Sequence, residues 1–348
     1  MKLTLIHEDS ETSAIPGTNA AKKLVEINKV VAIVGALASG VTIPVAESVT
    51  LPNSVLQISN ASTSPMITVL PADKDKDLLF RTCPSDALQG VISGKLAADL
   101  GYKKASTLYV NNPYGQGLAE QFKKSFEARG GKVLAMVPHD EKAAPTYTAE
   151  LKKALAGKPD TIGAFSYPGH STIYLKEAIE LFKFNNFLFC DGTKSIKNVE
   201  VVGAENVEGL YGTAPGSALN PSYDAFLAEY AKAYGSFPKF PFVTNAYDAM
   251  SVIGLAILKA QAKGQPITSL SIRDNLRTIA NPPGEVIRPG EFKKAAELIK
   301  QGKDINYEGA AGSVDFDKNG DVITPIEVWK YHNGDMVTVR MEFEIPKE

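Results

Sequence analysis

Tryptophan occurs once in this chain, cysteine twice and histidine four times, and neither sign of charge prevails. Each scarcity removes a class of function. Cys83 and Cys190 stand far apart in apolar surroundings, too few for a disulfide framework. Two buried free thiols are expected, with a bridge or a redox pair as the alternative. His7, His139, His170 and His332 have no neighbours at metal-ligand spacing, and neither HExxH nor CxxC occurs, so no metal site is expected. A net charge of −2 gives no electrostatic footprint for nucleic acid, and no basic cluster interleaves with aromatics. There is no GxSxG nucleophile elbow and no GxxxxGKS/T phosphate loop. No apolar run approaches the ~20 residues that span a bilayer. Residues 1–25 lack a charged segment followed by an apolar run and a small-residue cleavage site, the marks of a signal peptide. That absence reads as a cytosolic protein, or as a start that has been removed or misassigned.

What is present is ordinary globular material, 44% hydrophobic and 22% charged over 348 residues, enough for two domains. Residues 106–136 show its organisation. An apolar run at 107–110 reads as a buried strand. Asn111-Asn112-Pro113 turns the chain, and Leu118, Phe122 and Phe126 then recur every four residues, as in an amphipathic helix. Gly130-Gly131 stops that helix, and 133–137 begins another apolar run. The unit is β-α-β. Tyr114 sits on the loop at the strand's carboxyl end, where open parallel sheets hold their ligands. Gly115-Gln116-Gly117 is half of a dinucleotide fingerprint, but Glu120 fills the third glycine position, and an acid there opposes a pyrophosphate. No cofactor is expected.

The same alternation runs along the chain. Strand-like runs fall at 1–7, 30–37, 55–59, 79–82, 161–165, 187–189 and 209–214, with helical stretches between them. From 313 the pattern changes to strands at 313–316, 326–331 and 336–340, joined by the hairpin-turn signals Asn319-Gly320 and Asn333-Gly334. About ten strands exceed one comfortable open sheet, so two α/β lobes with parallel doubly wound sheets are expected. Asp315 to Asp321 mimics half of a calcium loop, but its twelfth position is Ile326 in place of a bidentate Glu. A strand running into a turn is the better reading.

The strand-end loops carry the remaining chemistry. Ser39, Ser62 and Thr63 offer hydroxyls and backbone N–H groups that suit a carboxylate, although each hydroxyl also suits a plain helix cap. Tyr114 and Tyr167 are aromatics on loops. Asp191 follows a strand and precedes Gly192, so it either caps the next segment or receives an ammonium group. Together these groups suit a zwitterionic amino acid.

Five segments in order carry a resemblance: VVAIVGALASGVTIPVAE at 30–47, LFRTCPSDALQG at 79–90, NPYGQGLAEQF at 112–122, FLFCDGTKS at 187–195 and GAAGSVDFDKNGDV at 309–322. Over nearly its whole length the chain resembles the bacterial periplasmic leucine/isoleucine/valine-binding protein family, the type I solute-binding proteins of ABC importers. The resemblance implies two Rossmann-like lobes joined by a three-segment hinge. Crossovers would fall near Cys83-Pro84, near Ala214-Pro215 and within 313–322. Lobe 1 would hold 1–83 and 215–315, and lobe 2 would hold 84–214 and 316–348. It implies further that Ser39 binds a ligand carboxylate and that Ser62 and Thr63 add backbone and hydroxyl contacts. Tyr114 would pack on the ligand, Tyr167 would line the cleft, and Asp191 would take the α-ammonium. Asp191 departs from the Glu of the best-known members, one methylene longer. Members also open with a strand, a Gly-rich loop and a helix ahead of the segment that starts here. A weaker lobe 1 and an incomplete half-site are the expectation for a chain without them.

The implied protein is a non-catalytic periplasmic carrier that closes on an amino acid, branched-chain or similar. It would dock as a monomer on an ABC permease of the inner membrane. The alternatives are the same fold binding an aromatic acid or an amide, and a sensory ligand-binding domain. An α/β enzyme is disfavoured, because no activated nucleophile, metal cluster or cofactor loop is seen.

Overall fold

A computed structural model describes residues 3–238 and 240–343. Met1, Lys2, Lys239 and residues 344–348 lie outside that description. Runs of branched and aromatic residues form the strands: β1 (Ala32–Val34), β2 (Leu56–Ser59), β3 (Leu79–Arg81), β4 (Lys104–Val110), β5 (Lys132–His139), β6 (Thr161–Phe165), β7 (Phe187–Phe189), β8 (Tyr211–Pro215), β9 (Glu285–Ile287), β10 (Ile305–Tyr307), β11 (Ile326–His332) and β12 (Asp335–Glu342). Helices separate most of them, as the alternation of periods requires. The chain divides into two compact units, Met1–Ser85 with Ser217–Thr324, and Asp86–Gly216 with Pro325–Glu348.

The first unit holds the parallel sheet β1-β2-β3 and a separate parallel pair, β10-β9. Its core is made by apolar residues at i, i+3 and i+4. On the helix Val243–Ala262, Ala249, Val252, Ile253 and Ala256 are buried, in one core cluster with Leu56, Ile58 and Phe80 of the sheet. Thr268 starts the helix Ser269–Ala280 with a capping box, its hydroxyl accepting from Ser271 N at 3.2 Å. Buried Asp248 accepts from Ala310 N (2.7 Å), Ala311 N (2.8 Å) and the Tyr307 hydroxyl (2.9 Å). That carboxylate pins the 309–311 segment, and burial raises its carboxyl to about 7.

Two strand expectations and one hairpin expectation fail in this unit. Residues 3–7 are not a strand, and Leu3, Leu5 and Ile6 are 47%, 58% and 40% exposed. Alternating apolar residues are a local signal, whereas a ladder needs a partner. β1 pairs only with β2 among the described residues, and nothing pairs with 3–7. Residues 313–316 form no strand either, only one bridge between Glu308 and Ser313. The Asn319-Gly320 turn therefore joins no hairpin. Asp317 closes it locally, accepting from Asn319 N (2.7 Å) and Asp321 N (3.0 Å). The Asp321 carboxylate of the calcium-like run is taken by Arg81, at 2.7 and 3.0 Å.

The second unit holds a seven-stranded sheet in the order β12-β11-β8-β7-β6-β4-β5. The five strands from β8 to β5 are parallel, and β11 runs antiparallel to both β8 and β12. Both faces are covered, so β6 is buried at every position. Ile162 and Ala164 join Tyr174 and Leu175 in one core cluster, while Phe165 joins Leu118 and Phe122 in another. The helix Pro113–Ala128 buries Leu118, Phe122 and Phe126, as its period predicts. Asn333-Gly334 does form a hairpin, between β11 and β12, with φ of 52° and 75° as a two-residue type I′ turn demands.

Candidate functional site

In the second unit the chain steps from β4 to β5 on one side and from β6 to β7 on the other, while β4 and β6 are neighbours. Their carboxyl ends mark a topological switch point, where adjacent loops part and leave a crevice. Tyr114, expected on a loop, stands in the first turn of the helix Pro113–Ala128 that follows β4, because Asn112 caps that helix one residue after the strand-end turn begins; Tyr167 is on the loop after β6, and Asp191 lies directly beyond β7. Asn112 ties the first two together. Its Oδ1 accepts from Tyr114 N and Gly115 N, both at 3.1 Å, and its Nδ2 donates to the Tyr167 hydroxyl at 3.3 Å. The two tyrosine rings stack with centroids 5.5 Å apart and planes within 13°. Glycine at 115 is a packing requirement, since a Cβ there would lie 2.2 Å from the Val110 carbonyl oxygen. Gly115-Gln116-Gly117 thus has a reason to exist without any nucleotide.

Asp191 opens the turn Asp191–Thr193 and is 6% exposed. Its Oδ1 accepts from the Tyr114 hydroxyl at 2.8 Å and from Gln89 Nε2 at 2.9 Å. Gly192 N donates to the same hydroxyl at 3.2 Å. A Cβ at Gly192 would lie 2.3 Å from the Ser166 carbonyl oxygen, so only glycine lets the turn come this close. Burial raises the Asp191 carboxyl above the usual carboxylate range, and the bonds from Gln89 and Tyr114 oppose that shift. Burial, and then the nearby Asp191, push the Cys190 thiol up to about 12, so it stays protonated. Cys190 and Cys83 are both buried and form no disulfide among the described residues, which agrees with the first reading of the two cysteines.

Behind the tyrosine wall lies a histidine pair that the sequence reading left unassigned. The rings of His139 and His170 are 4.5 Å apart. His139 Nε2 meets the Ser166 hydroxyl at 2.8 Å, and His170 Nδ1 meets the Tyr147 hydroxyl at 2.6 Å. Burial, and then His139, lower His170 from 6.5 to about 4. A group whose folded-state affinity for protons is depressed in this way favours folding above its unfolded value, and that gain is lost as pH falls. Between pH 6.5 and 5 the unfolded chain takes up a proton that the folded one refuses, so His170 should cost about 1.5 kcal/mol of stability over that range. Denaturant titrations at both pH values, on wild type and His170→Gln, check this. Equal slopes with pH in the two proteins would contradict it.

In the first unit Ser39, Ser62 and Thr63 lie at the ends of β1 and β2, and all three are buried. Ser39 Oγ accepts from Ser64 N at 3.2 Å, which leaves its hydrogen to be donated. The Ser62 hydroxyl is spent inside the protein, 2.7 Å from Thr42 Oγ1 and 3.1 Å from the Leu37 carbonyl. These hydroxyls cross-tie the two loops; neither acts as the plain helix cap considered as their alternative. Arg81 on β3 fixes the arrangement from below. It is fully buried, and its Nη1 donates to the carbonyls of Ser62 (3.3 Å) and Ser64 (2.9 Å). The backbone N–H groups of Ser62 and Ser64 are likewise held within the protein, by Ser59 Oγ at 2.9 Å and Ser39 Oγ at 3.2 Å.

Gln89, Arg81 and Asn112 are the supporting residues that sequence reasoning missed. A signal was there for two of them: Arg81 interrupts a buried strand, and Gln89 lies in the buried face of the helix Asp86–Asp99. Among the described residues no group of histidines, cysteines and acids is placed to hold a metal, and no helix is long and apolar enough to cross a membrane.

The profile of the family described as the receptor family ligand binding region matches residues 1–334. The chemotactic signal transduction system substrate-binding protein BasB of Halobacterium salinarum is 28% identical over 316 residues, covering 89% of this chain and 72% of its own. The Leu/Ile/Val-binding protein homolog 2 of Brucella abortus is 28% identical over 342 residues, covering 96% and 80%. The crystal structure of a leucine binding protein, LivK, from Thermotoga maritima matches with a TM-score of 0.80 and 26% identity, covering 97% of this chain and 87% of that one. The switch-point crevice, the strand-end loops and these matches agree: the chain belongs to the receptor family ligand binding region, as a member of the leucine/isoleucine/valine-binding protein family with the type I periplasmic binding fold.

Proposed function

We infer that the protein is the periplasmic ligand carrier of an ABC importer and that it binds an amino acid, branched-chain or similar. The observation that carries this reading is Asp191. It is a buried carboxylate with two neutral side-chain donors, backbone N–H groups beside them, and no cationic partner among the described residues. The nearest basic residue on its turn, Lys194, is committed to Glu327 at 2.5 Å. A ligand ammonium supplies the missing charge, the Tyr114–Tyr167 stack supplies an apolar wall, and the loops at Ser39, Ser62 and Thr63 receive the carboxylate. The names of the Brucella and Thermotoga relatives support the amino-acid class. In this reading the ligand engages both units only when they close on it, which shifts an open–closed equilibrium, and the closed protein docks on a permease.

The test is a thermal-shift screen of amino acids, aromatic acids and amides. A ligand held at a hundred times its Kd stabilises the fold by about 2.7 kcal/mol, a clear rise in melting temperature. Branched-chain amino acids should produce it. If only carboxylates without an amine do so, the reading fails.

A further inference from the structure

We propose that Gln89 is a positioning residue that holds Asp191 as a pure hydrogen-bond acceptor, and that it thereby selects ligands bearing an ammonium over the same carboxylic acids without one. The inference rests on the amino-acid reading for its ligand, and on geometry alone for its mechanism.

Gln89 is fully buried on the helix Asp86–Asp99. Its Nε2 donates to Asp191 Oδ1 at 2.9 Å and to the Thr213 carbonyl at 3.2 Å. Thr213 belongs to β8, inside the seven-stranded sheet, so the amide is anchored to a rigid strand. Gln89 Oε1 is buried and has no hydrogen-bond partner among the described residues. A turned amide would not cure that, because Oε1 would then oppose the Asp191 oxygen and the Thr213 carbonyl, one acceptor against two. Only one orientation fits, and it presents hydrogens to Asp191. An amide that leaves its own carbonyl unsatisfied serves a neighbour before it serves its own hydrogen bonding.

The consequence falls on the carboxylate. Gln89 and Tyr114 both donate to Oδ1, and Oδ2 receives neither. Both side-chain donors thus converge on one oxygen, and the backbone N–H groups of Asp191 and Gly192 add to the carboxylate. Two donors favour the ionised acid, which accepts only, over the protonated acid, which also offers a hydrogen. An ionised Asp191 rewards an ammonium and repels a second carboxylate. A protonated Asp191 would tolerate either. Gln89 therefore acts on specificity without needing to touch the ligand.

Gln89→Met keeps the volume and removes both hydrogens. The carboxyl carbon of Asp191, followed by NMR through a pH titration of ligand-free protein, should titrate higher in Gln89→Met than in wild type. Calorimetry with L-leucine and with 4-methylpentanoate, the same skeleton without the amine, should show the preference for leucine shrinking ~10-fold, the share of one hydrogen bond to a charged group. A residue that merely fills space would lower the melting temperature and leave both readouts in place, and that result overturns the proposal. If Gln89→Met does not fold, Gln89→Glu serves instead. Two acids at this distance share a proton, so Asp191 should then titrate in two separated steps, and a single unshifted step overturns the proposal. If wild type binds no leucine, the amino-acid reading has failed, while the ligand-free titration still decides the role of Gln89.

Discussion

Asp191→Ala should weaken amino-acid binding by about 2–5 kcal/mol while leaving the ligand-free protein at least as stable as wild type. The two halves of that expectation have one cause. The Asp191 carboxylate is buried, and its side-chain partners are Gln89 and the Tyr114 hydroxyl, neither of which carries charge. An ionised group held in this way costs the free fold desolvation that no countercharge returns. Removing it relieves that cost and leaves two donors that water in the vacated space is able to satisfy. The ligand's ammonium, by contrast, loses its only charged partner in this half-site and is left buried beside dipoles. Stability and affinity should therefore move apart.

The pH dependence follows with its sign. Burial raises the carboxyl, so the folded protein binds that proton more tightly than the unfolded chain does. Its contribution to stability is largest in acid and declines as pH rises through the folded value, and the alanine variant should lack that decline. Calorimetric titration with L-leucine, paired with denaturant unfolding across pH, measures both. An unchanged leucine affinity would remove Asp191 from the site. A loss of stability in parallel with affinity would make it a structural residue.

Arg81→Met should destabilise the first unit by about 3–5 kcal/mol, the range for breaking a buried ion pair from one side. The guanidinium is fully buried, and it donates to both oxygens of Asp321, to Thr68 Oγ1 at 2.7 Å and to the carbonyls of Ser62 and Ser64. Methionine fills the space of the stem and answers none of those acceptors. Asp321 is 14% exposed, so water reaches it only in part. Changing both partners, Arg81→Met with Asp321→Leu, should recover some of the loss, because no unpaired charge then remains. Denaturant unfolding of the single and double variants reads the difference directly. A single-variant loss under about 1 kcal/mol would mean that the pair behaves as a surface salt bridge.

The parts of the fold that were legible in the sequence are those whose burial is decided locally. β6 reads as a continuous apolar run because helices cover both its faces, and the 113–128 helix reads from Leu118, Phe122 and Phe126 because its exposed face is charged. Residues 3–7 carry a pattern of the same strength and are not a strand, since pairing depends on what lies alongside. Asn319-Gly320 and Asn333-Gly334 are equal as dipeptides. Only the second is flanked by segments that reach each other, and only the second is a hairpin. At the candidate site, Tyr114, Tyr167 and Asp191 were visible as unusual residues just beyond strands, although Tyr114 lies in the first turn of a helix and not on a loop. Their supports were not. Gln89 lies 102 positions from Asp191 in sequence and Arg81 lies 240 from Asp321, and no window along the chain joins such partners.

The closing hairpin has a consequence for how the chain is made. β11 lies between β8 and β12, and the only tryptophan, Trp329, is fully buried there. Its ring packs 5.9 Å from Phe189 and 5.1 Å from Tyr331, over a glycine at 212 where a Cβ would come within 2.4 Å of it. Both units are stitched from segments distant in sequence, and each waits for residues from the later part of the chain. A ribosome that has released everything up to Thr324 has therefore finished the first unit's sequence, while the second still shows an open β8 edge. Assembly is back-loaded, because the pairing of β11 with β8 joins segments distant in sequence and has to wait for the later one. The lone indole sits in the piece that arrives last, so its fluorescence reports the completion of the second unit and not its beginning.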